Sequence, residues 1–348
     1  MNKKVTIADI SRAAGVSTAT VSYFLNGHYG NMSEEVRLRL ERLVKEMGYR
    51  PNNLARSLKS KQSRNVAIIV PGLYGQIAFL VVAGACQMLD AAGYTTSIMI
   101  SNDNINKERE YVEQSLADQV SGIIVVPAMV YGQTNLQYLQ SIHESGTPLA
   151  IVTRCPEDWP YDGVRLNYAK SVDSLVHHFS VKGYQSAALF LDVENSPYIT
   201  YTKGYRRKVF IESMQRHFHT DASNMVWYGI KTESAAIAAI KEYAERCPEG
   251  ARAVFSVNSP TLGITLQAMQ TLGLDIPNAF GLGGYGGWDW TSYTHPTITT
   301  LSQPLDKVGE MAAELLLRRL ENPDAEPKLV FLDSKLTARQ STDLQKVN

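Results

Sequence analysis

The chain has 348 residues, no formal net charge at pH 7, 44% hydrophobic residues and only three cysteines. No stretch approaches eighteen uninterrupted apolar residues, and the first residues lack the apolar run of a signal peptide, so membrane insertion and export are not expected. Cys86, Cys155 and Cys247 are far apart and odd in number, which suits free thiols in a reducing cytoplasm rather than a disulfide framework.

The zero net charge conceals an asymmetry. Residues 1–64 hold twelve Lys and Arg against five Asp and Glu, an excess of about seven positive charges, and the remainder is acidic to the same extent. A basic module on a mildly acidic body points to a polyanion such as DNA. The apolar residues interleaved with these charges are periodic, which argues against a disordered basic tail.

Taken in order, Thr6 and Asp9 predict a capping box at the start of a first helix. Gly15 supplies a tight turn, and Ser17 can cap a second helix. Ile7, Ile10, Ala14, Val16, Val21 and Leu25 form a seam between the two. Ser17, Thr18, Ala19, Thr20, Ser22 and Tyr23 then occupy the other face, small enough to enter a major groove. This is the pattern of a helix-turn-helix. A third helix is predicted from Ser33, with Val36, Leu40, Leu43, Val44 and Met47 as its apolar face and Gly48 near its end.

The next segment, 51–63, is too short to be a stable helix in water. It reads as a hinge that orders when two copies pair on DNA, with Leu58 wedged into the minor groove and Arg56 and Lys59 on the backbone or groove edge. A flexible linker without a DNA role is the alternative.

Beyond residue 64, apolar and β-branched runs alternate with helical patterns: 66–70, 94–100, 122–126, 149–152, 187–191, 225–228, 253–257 and 280–284. Strands spaced by helices predict parallel sheets, and this length predicts two lobes.

The run Thr20-Val-Ser-Tyr-Phe-Leu-Asn-Gly27, the joint Gly48-Tyr-Arg-Pro-Asn52 and the hinge Leu54-Ala-Arg-Ser-Leu58 resemble the LacI/GalR family of bacterial repressors. Similar pieces continue at Pro71-Gly-Leu73, Gln119–Val125, Val257-Asn258, Gly284-Tyr285, Pro296–Thr300 and Leu336–Ser341. The resemblance implies an all-α helix-turn-helix headpiece (1–50), a hinge (51–63) and a two-lobed, periplasmic-binding-protein-like α/β core (64–342). It implies three crossovers, expected near 162–164, 289–292 and 322–326. The N-lobe is then about 64–162 with 292–323, and the C-lobe 163–291 with 324–342. It adds Thr6, Asn26 and Ala55 to the expected DNA contacts.

Ligands in such sheets bind beyond the carboxyl ends of strands. The loops there hold Tyr74, Gln76 and Phe79, then Arg154, Tyr198, Tyr201, Asn258, Trp288, Asp289 and Gln303. Aromatic faces with fixed amides, hydroxyls and charges suit a carbohydrate, and the resemblance gathers these loops around one cleft. The glycine run 281–287 is expected as a strand-end turn at that cleft.

Three departures from sugar-binding members bear on the ligand. Tyr201 stands where an Arg is usual, Gly286 where Asp follows Gly-Tyr, and Ser259 follows Asn258 in place of Asp. These weigh against a simple aldohexose or galactoside. A sugar acid or sugar phosphate would need replacement cations, for which Arg154, Lys203 and Arg206 are available. In the second helix Tyr23 replaces a common Arg, so the outer operator positions should differ from those of relatives.

No Gly-x-Ser-x-Gly, Gly-x-x-x-x-Gly-Lys or His-Glu-x-x-His motif occurs, and His177-His178 and His217/His219 do not share helix faces. Neither an enzyme nor a metal site is expected, and no cofactor. The reading is a sequence-specific DNA-binding regulator acting as a homodimer on a palindromic operator, with a sugar-like effector. Only Gln340–Asn348 follow Arg339, too little for a tetramerising heptad helix. Control by a protein partner, or a solute-receptor role, are the alternatives.

Overall fold

The computed structural model describes residues 5–25, 27–30, 32–49, 63–72, 76–130, 132–195, 201–287 and 289–344, without the side chains of 76, 77 and 201. The chain divides into two compact units, Met1–Ser63 and Arg64–Asn348.

In the first unit, α1 (Ile7–Ala14) opens with the expected capping box, in which Asp9 and Thr6 exchange side-chain-to-backbone bonds. Gly15 ends it at φ 67°, a left-handed conformation that a Cβ would strain. Ser17 then accepts from the Thr20 amide at 3.1 Å and opens α2 (Thr18–Leu25). Ser33 caps α3 (Glu34–Glu46). Ile10, Ala14, Val21 and Leu40 form the buried centre, with Ile7, Val16, Leu25, Val36, Leu43, Val44 and Met47 packed around it. The small core follows the periodicity of the sequence closely. The hinge residues 51–62, including Ala55, Arg56, Leu58 and Lys59, lie outside the described residues, as does Asn26.

The second unit contains two six-stranded sheets. The first is built from β1 (Asn65–Val70), β2 (Thr95–Ile100), β3 (Gly122–Val125), a small hairpin apart from it formed by β4 (Met129–Val130) and β5 (Gln133–Thr134), then β6 (Leu149–Val152) and β7 (Gly163–Leu166). The second is built from β8 (Ser186–Phe190), β9 (Val226–Trp227), β10 (Arg252–Ser256), β11 (Phe280–Tyr285) and β12 (Thr299–Ser302). The last two strands are shared out: β13 (Leu329–Leu332) joins the first sheet beside β7, and β14 (Lys335–Thr337) joins the second beside β12. The orders are β13-β7-β6-β3-β1-β2 and β14-β12-β11-β10-β8-β9. All pairs within the two sheets are parallel except β12 with β14. The central strands β1, β3 and β6 are buried on both faces, which is why they read as unbroken apolar runs.

The helices are α4 (Gln76–Ala91), α5 (Ile105–Ala117), α6 (Leu136–Glu144), α7 (Tyr168–Lys182), α8 (Tyr201–Phe218), α9 (Glu233–Arg246), α10 (Ser259–Thr271), α11 (Trp290–Tyr293) and α12 (Leu305–Glu321). Helix α12 returns to the N-lobe and lies across α4. The two backbones pack closely at Gly84 and Gly309: a Cβ on Gly309 would strike the Val81 carbonyl, and one on Gly84 the Asp306 carbonyl.

The chain therefore passes between sheets at Asn167, at 303–304 and at 333–334, each later than the expected 162–164, 289–292 and 322–326. The N-lobe runs to Leu166 and resumes with α12 and β13, while the C-lobe runs from α7 to β12 and resumes with β14. The misplacement has a cause in the strands themselves. β7 carries the buried Arg165, whose Nη1 donates to the Cys155 carbonyl at 2.6 Å, and the charge hid its strand character. β12 is rich in threonine, with Thr299 Oγ1 accepting from the Arg339 amide at 2.9 Å.

The glycine run differs from expectation in its first part, while Gly286 and Gly287 follow the strand and line the cavity between the lobes. Gly281, Gly283 and Gly284 lie within β11 and do not form a turn. A Cβ on Gly281 would enter the Tyr184 ring, and one on Gly284 the Ser256 carbonyl, so close packing accounts for these glycines.

Candidate DNA interface and interlobe cleft

On α2, Val21 turns into the headpiece core and the opposite face is open. Ser17, Thr18, Ala19 and Tyr23 are exposed, and Thr20 and Ser22 are half-buried. Tyr23 is 59% exposed, the most of any large apolar or aromatic side chain of the described headpiece. The face offers hydroxyls, one methyl and one phenol, groups able to bond base edges or touch a thymine methyl. Thr6 is exposed too, but its hydroxyl already bonds Asp9 Oδ2 at 2.6 Å.

In the second unit, a cavity of about 1100 Å³ lies between the lobes. Its walls follow from the parallel topology. Pro71 follows β1, Asn102 and Asp103 follow β2, Val126 follows β3, and Thr153 and Arg154 follow β6. From the C-lobe, Asp192 lies beyond β8, Asn258 beyond β10, Gly286 beyond β11 and Gln303 beyond β12. Every one sits past the carboxyl end of a parallel strand, where strand-to-helix loops diverge and leave a crevice.

Strained backbone gathers here. Asn102 and Asp103 at φ 54° and Thr153 at φ 62° line the cavity in the left-handed region, which is costly for β-branched Thr153 above all. Arg154 Nη1 pairs with Asp103 Oδ1 at 2.5 Å and also donates to the Pro127 carbonyl at 3.1 Å. Across the cleft, Lys203 Nζ pairs with Asp192 Oδ1 at 2.7 Å, and Asn258 Nδ2 donates to Asp192 Oδ2 at 2.9 Å. The Asn258 carbonyl oxygen caps α10 through the Thr261 amide at 2.9 Å, which fixes the amide orientation.

Deeper in the C-lobe, Arg206 is 5% exposed. Its Cζ lies 4.3 Å from the Tyr168 ring centre and 4.1 Å from that of Tyr285. Its Nη1 donates to the Val257 carbonyl at 2.8 Å. Burial pushes the Tyr285 hydroxyl up to about 12, against the opposing pull of Arg206, so the phenol is neutral.

Of the residues expected at the cleft, Arg154, Asn258 and Gln303 line it. So do Lys203 and Arg206, the cations named as replacements. Two expected residues are absent from the lining. Phe79 is 58% exposed, because its neighbour Ala78 takes the inward position and the next helical residue turns about 100° away. Asp289 is exposed beside α11, and Trp290 lines the cavity in its place. Tyr74, Tyr198 and Trp288 lie outside the described residues, as do the side chains of Gln76 and Tyr201.

The sequence reading missed Asn102, Asp103, Tyr168, Asp192 and Tyr285. The strand-end rule, applied to β2 as it was to β6 and β10, would have found Asn102 and Asp103; after β8 it was applied, but it selected Tyr198 and Tyr201 and passed over Asp192, which stands nearer the strand end. Tyr168 required β7 to be recognised as a strand.

Two family models match the chain: "Bacterial regulatory proteins, lacI family" over residues 6–52, and "Periplasmic binding protein-like domain" over 176–342. The HTH-type transcriptional regulator KdgR of Bacillus subtilis (strain 168) is 26% identical over 345 residues, covering 98% of this chain and 100% of that protein. The crystal structure of the Lac repressor dimer bound to operator and the anti-inducer ONPF superposes with a TM-score of 0.83 at 20% identity, over 99% of this chain and 100% of that one. A complex of the transcriptional regulator CelR with cellobiose superposes with a TM-score of 0.67 at 22% identity, over 97% and 100%. At such identities the two structures speak for the fold. Residues 6–52 thus match the lacI family of bacterial regulatory proteins, the core has the fold of solved repressors, and the chain is similar over nearly its whole length to proteins named as transcriptional regulators.

Proposed function

We propose that the protein binds a roughly palindromic operator as a homodimer, as a repressor of carbohydrate-utilisation genes, and that a small sugar-like effector in the interlobe cleft alters this binding. The cavity of about 1100 Å³ carries the reading: it holds donors and acceptors from both lobes at the ends of parallel strands. A ligand bridging Arg154 on one side and Asn258 on the other has a differential affinity for closed and open lobes. That difference is what couples a cleft to a separate DNA-binding unit, typically by about 1–3 kcal/mol.

On the DNA side, α2 enters the major groove with Thr18, Ala19 and Tyr23 foremost, and two headpieces read two half-sites. Paired hinges then place Leu58 in the central minor groove, flanked by Ala55, Arg56 and Lys59. The dimeric, operator-bound state of the Lac repressor and the cellobiose held by CelR support the reading by likeness.

The test is selection of binding sites from a random duplex library with the full chain, followed by titration of the selected site with and without a carbohydrate panel. An inverted repeat whose affinity shifts with one compound is expected. Selection of an asymmetric single site would overturn the dimeric reading. An operator response to a protein partner alone, with no compound active, would overturn the cleft effector.

A further inference from the structure

Among the described residues three cations line the cleft, and they are not equivalent. Arg154 is paired with Asp103 at 2.5 Å and Lys203 with Asp192 at 2.7 Å, each within its own lobe. Arg206 pairs with no carboxylate among the described residues. It is nevertheless nine-tenths buried, and among the described residues it makes one hydrogen bond to a backbone carbonyl and leaves its Nε without a partner. A guanidinium has five N–H donors, and a buried cation without a counter-charge is costly to keep. The two tyrosine rings offset part of that cost through their negative faces but supply no charge. The described lining thus carries one unbalanced positive charge. A second orphan stands in the same wall: Gln303 Nε2 is buried and has no partner among the described residues.

From these observations we infer that the cleft is built for a polyhydroxylated monocarboxylate, an acidic sugar, whose carboxylate neutralises Arg206. This rests on the cleft being the effector site. A single carboxylate balances one charge, whereas a phosphate monoester, at about −1.5 to −2 near neutral pH, would leave the site negative. Carboxylate and guanidinium also match in shape, giving paired, charge-assisted bonds. For the rest of the ligand, Gln303 offers a donor, while Asp103 and Asp192 keep oxygen lone pairs for hydroxyls. The half-buried Trp290 presents an aromatic surface to the apolar side of a sugar chain or ring. Arg206 is in this account the residue that selects acid over neutral sugar.

The experiment is calorimetric titration of the full chain with neutral aldohexoses, their aldonates and uronates, and their 6-phosphates, repeated with Arg206→Met and Arg206→Lys. At least one acid is expected to bind about 100-fold more tightly than its neutral parent, and Arg206→Met to abolish that preference while Arg206→Lys retains part of it. Ligand-free Arg206→Met should melt at or above the wild-type temperature, since it removes an uncompensated buried charge. Equal binding of acid and neutral parent, tighter binding of a 6-phosphate, or undiminished acid binding by Arg206→Met would each overturn the inference while leaving the cleft as the effector site. Binding by no member of the panel would remove both. Should Arg206→Met fail to fold, the wild-type ratio of acid to neutral affinity decides alone.

Discussion

Asn167, the single residue between β7 and α7, donates from Nδ2 to Asp333 Oδ1 at 3.1 Å. Asn167 lies in the first crossing between the lobes and Asp333 in the third, and Lys170 completes the link by an ion pair with the same carboxylate. The Asn167 amide also bonds the Leu332 carbonyl at 2.9 Å. The crossings are where lobe motion must be absorbed, so a link between two of them biases the open-closed equilibrium. Lys170 foremost holds the Asp333 carboxyl below the usual carboxylate range.

Asp333→Ala is therefore expected to leave the melting temperature of the core nearly unchanged, because the pair is exposed. It should change the effector's influence on operator affinity by about threefold or more. Operator titrations with and without effector measure this, and an unaltered ratio would remove the link from the switching device.

Gly309→Ala should destabilise the N-lobe by about 1–3 kcal/mol, since its Cβ must push α12 away from the Val81 carbonyl of α4. Denaturant unfolding at fixed protein concentration is the measurement. A neutral effect would mean that the two helices separate at little cost.

Tyr23→Ala is expected to weaken operator binding by about 0.5–1.5 kcal/mol, the worth of one hydrogen bond, without lowering the melting temperature. The side chain is 59% exposed and supports no core. An unchanged affinity on the selected operator would take Tyr23 out of the base-reading set.

Leu58→Ala should weaken operator binding and leave the affinity of the core for its effector intact. Parallel loss of both would assign Leu58 a structural role.

A pH dependence follows from His178. Burial foremost, and Lys182 after it, lower its pKa from the ordinary 6.5, while its Nε2 lies 2.8 Å from Thr342 Oγ1. The unfolded chain then takes up the proton first, so stability is lost as pH falls from 6.5 through the folded value. His143, lowered by burial and then by Arg319, acts in the same direction. The melting temperature should drop as pH goes from about 7.5 to about 5.5, and drop less in His178→Gln. An equal drop in wild type and variant would exonerate this histidine.

Much of this protein was legible in the chain alone, and the reason is locality. The headpiece is written in spacings of three and four residues, in Thr6 with Asp9, in Gly15, and in Ser17 with Thr20, and each acts within one helical turn. The central strands β1, β3 and β6 are apolar on both faces, so they are visible as runs. What the sequence could not display was partnership across distance. Arg165 looked too charged for a strand until Cys155, ten residues back, accepted its guanidinium. The glycines of β11 looked like a turn until Tyr184 and Ser256 were found against them. Arg206 could be named as a cation from the chain, but not as the only one among Arg154, Lys203 and Arg206 without a carboxylate among the described residues. That distinction depends on Asp103 and Asp192 standing within 3 Å of the other two, and only the fold brings them there. Local periodicity determined which elements form, while the pairing of charges, and with it the character of the cleft, was decided by the tertiary structure.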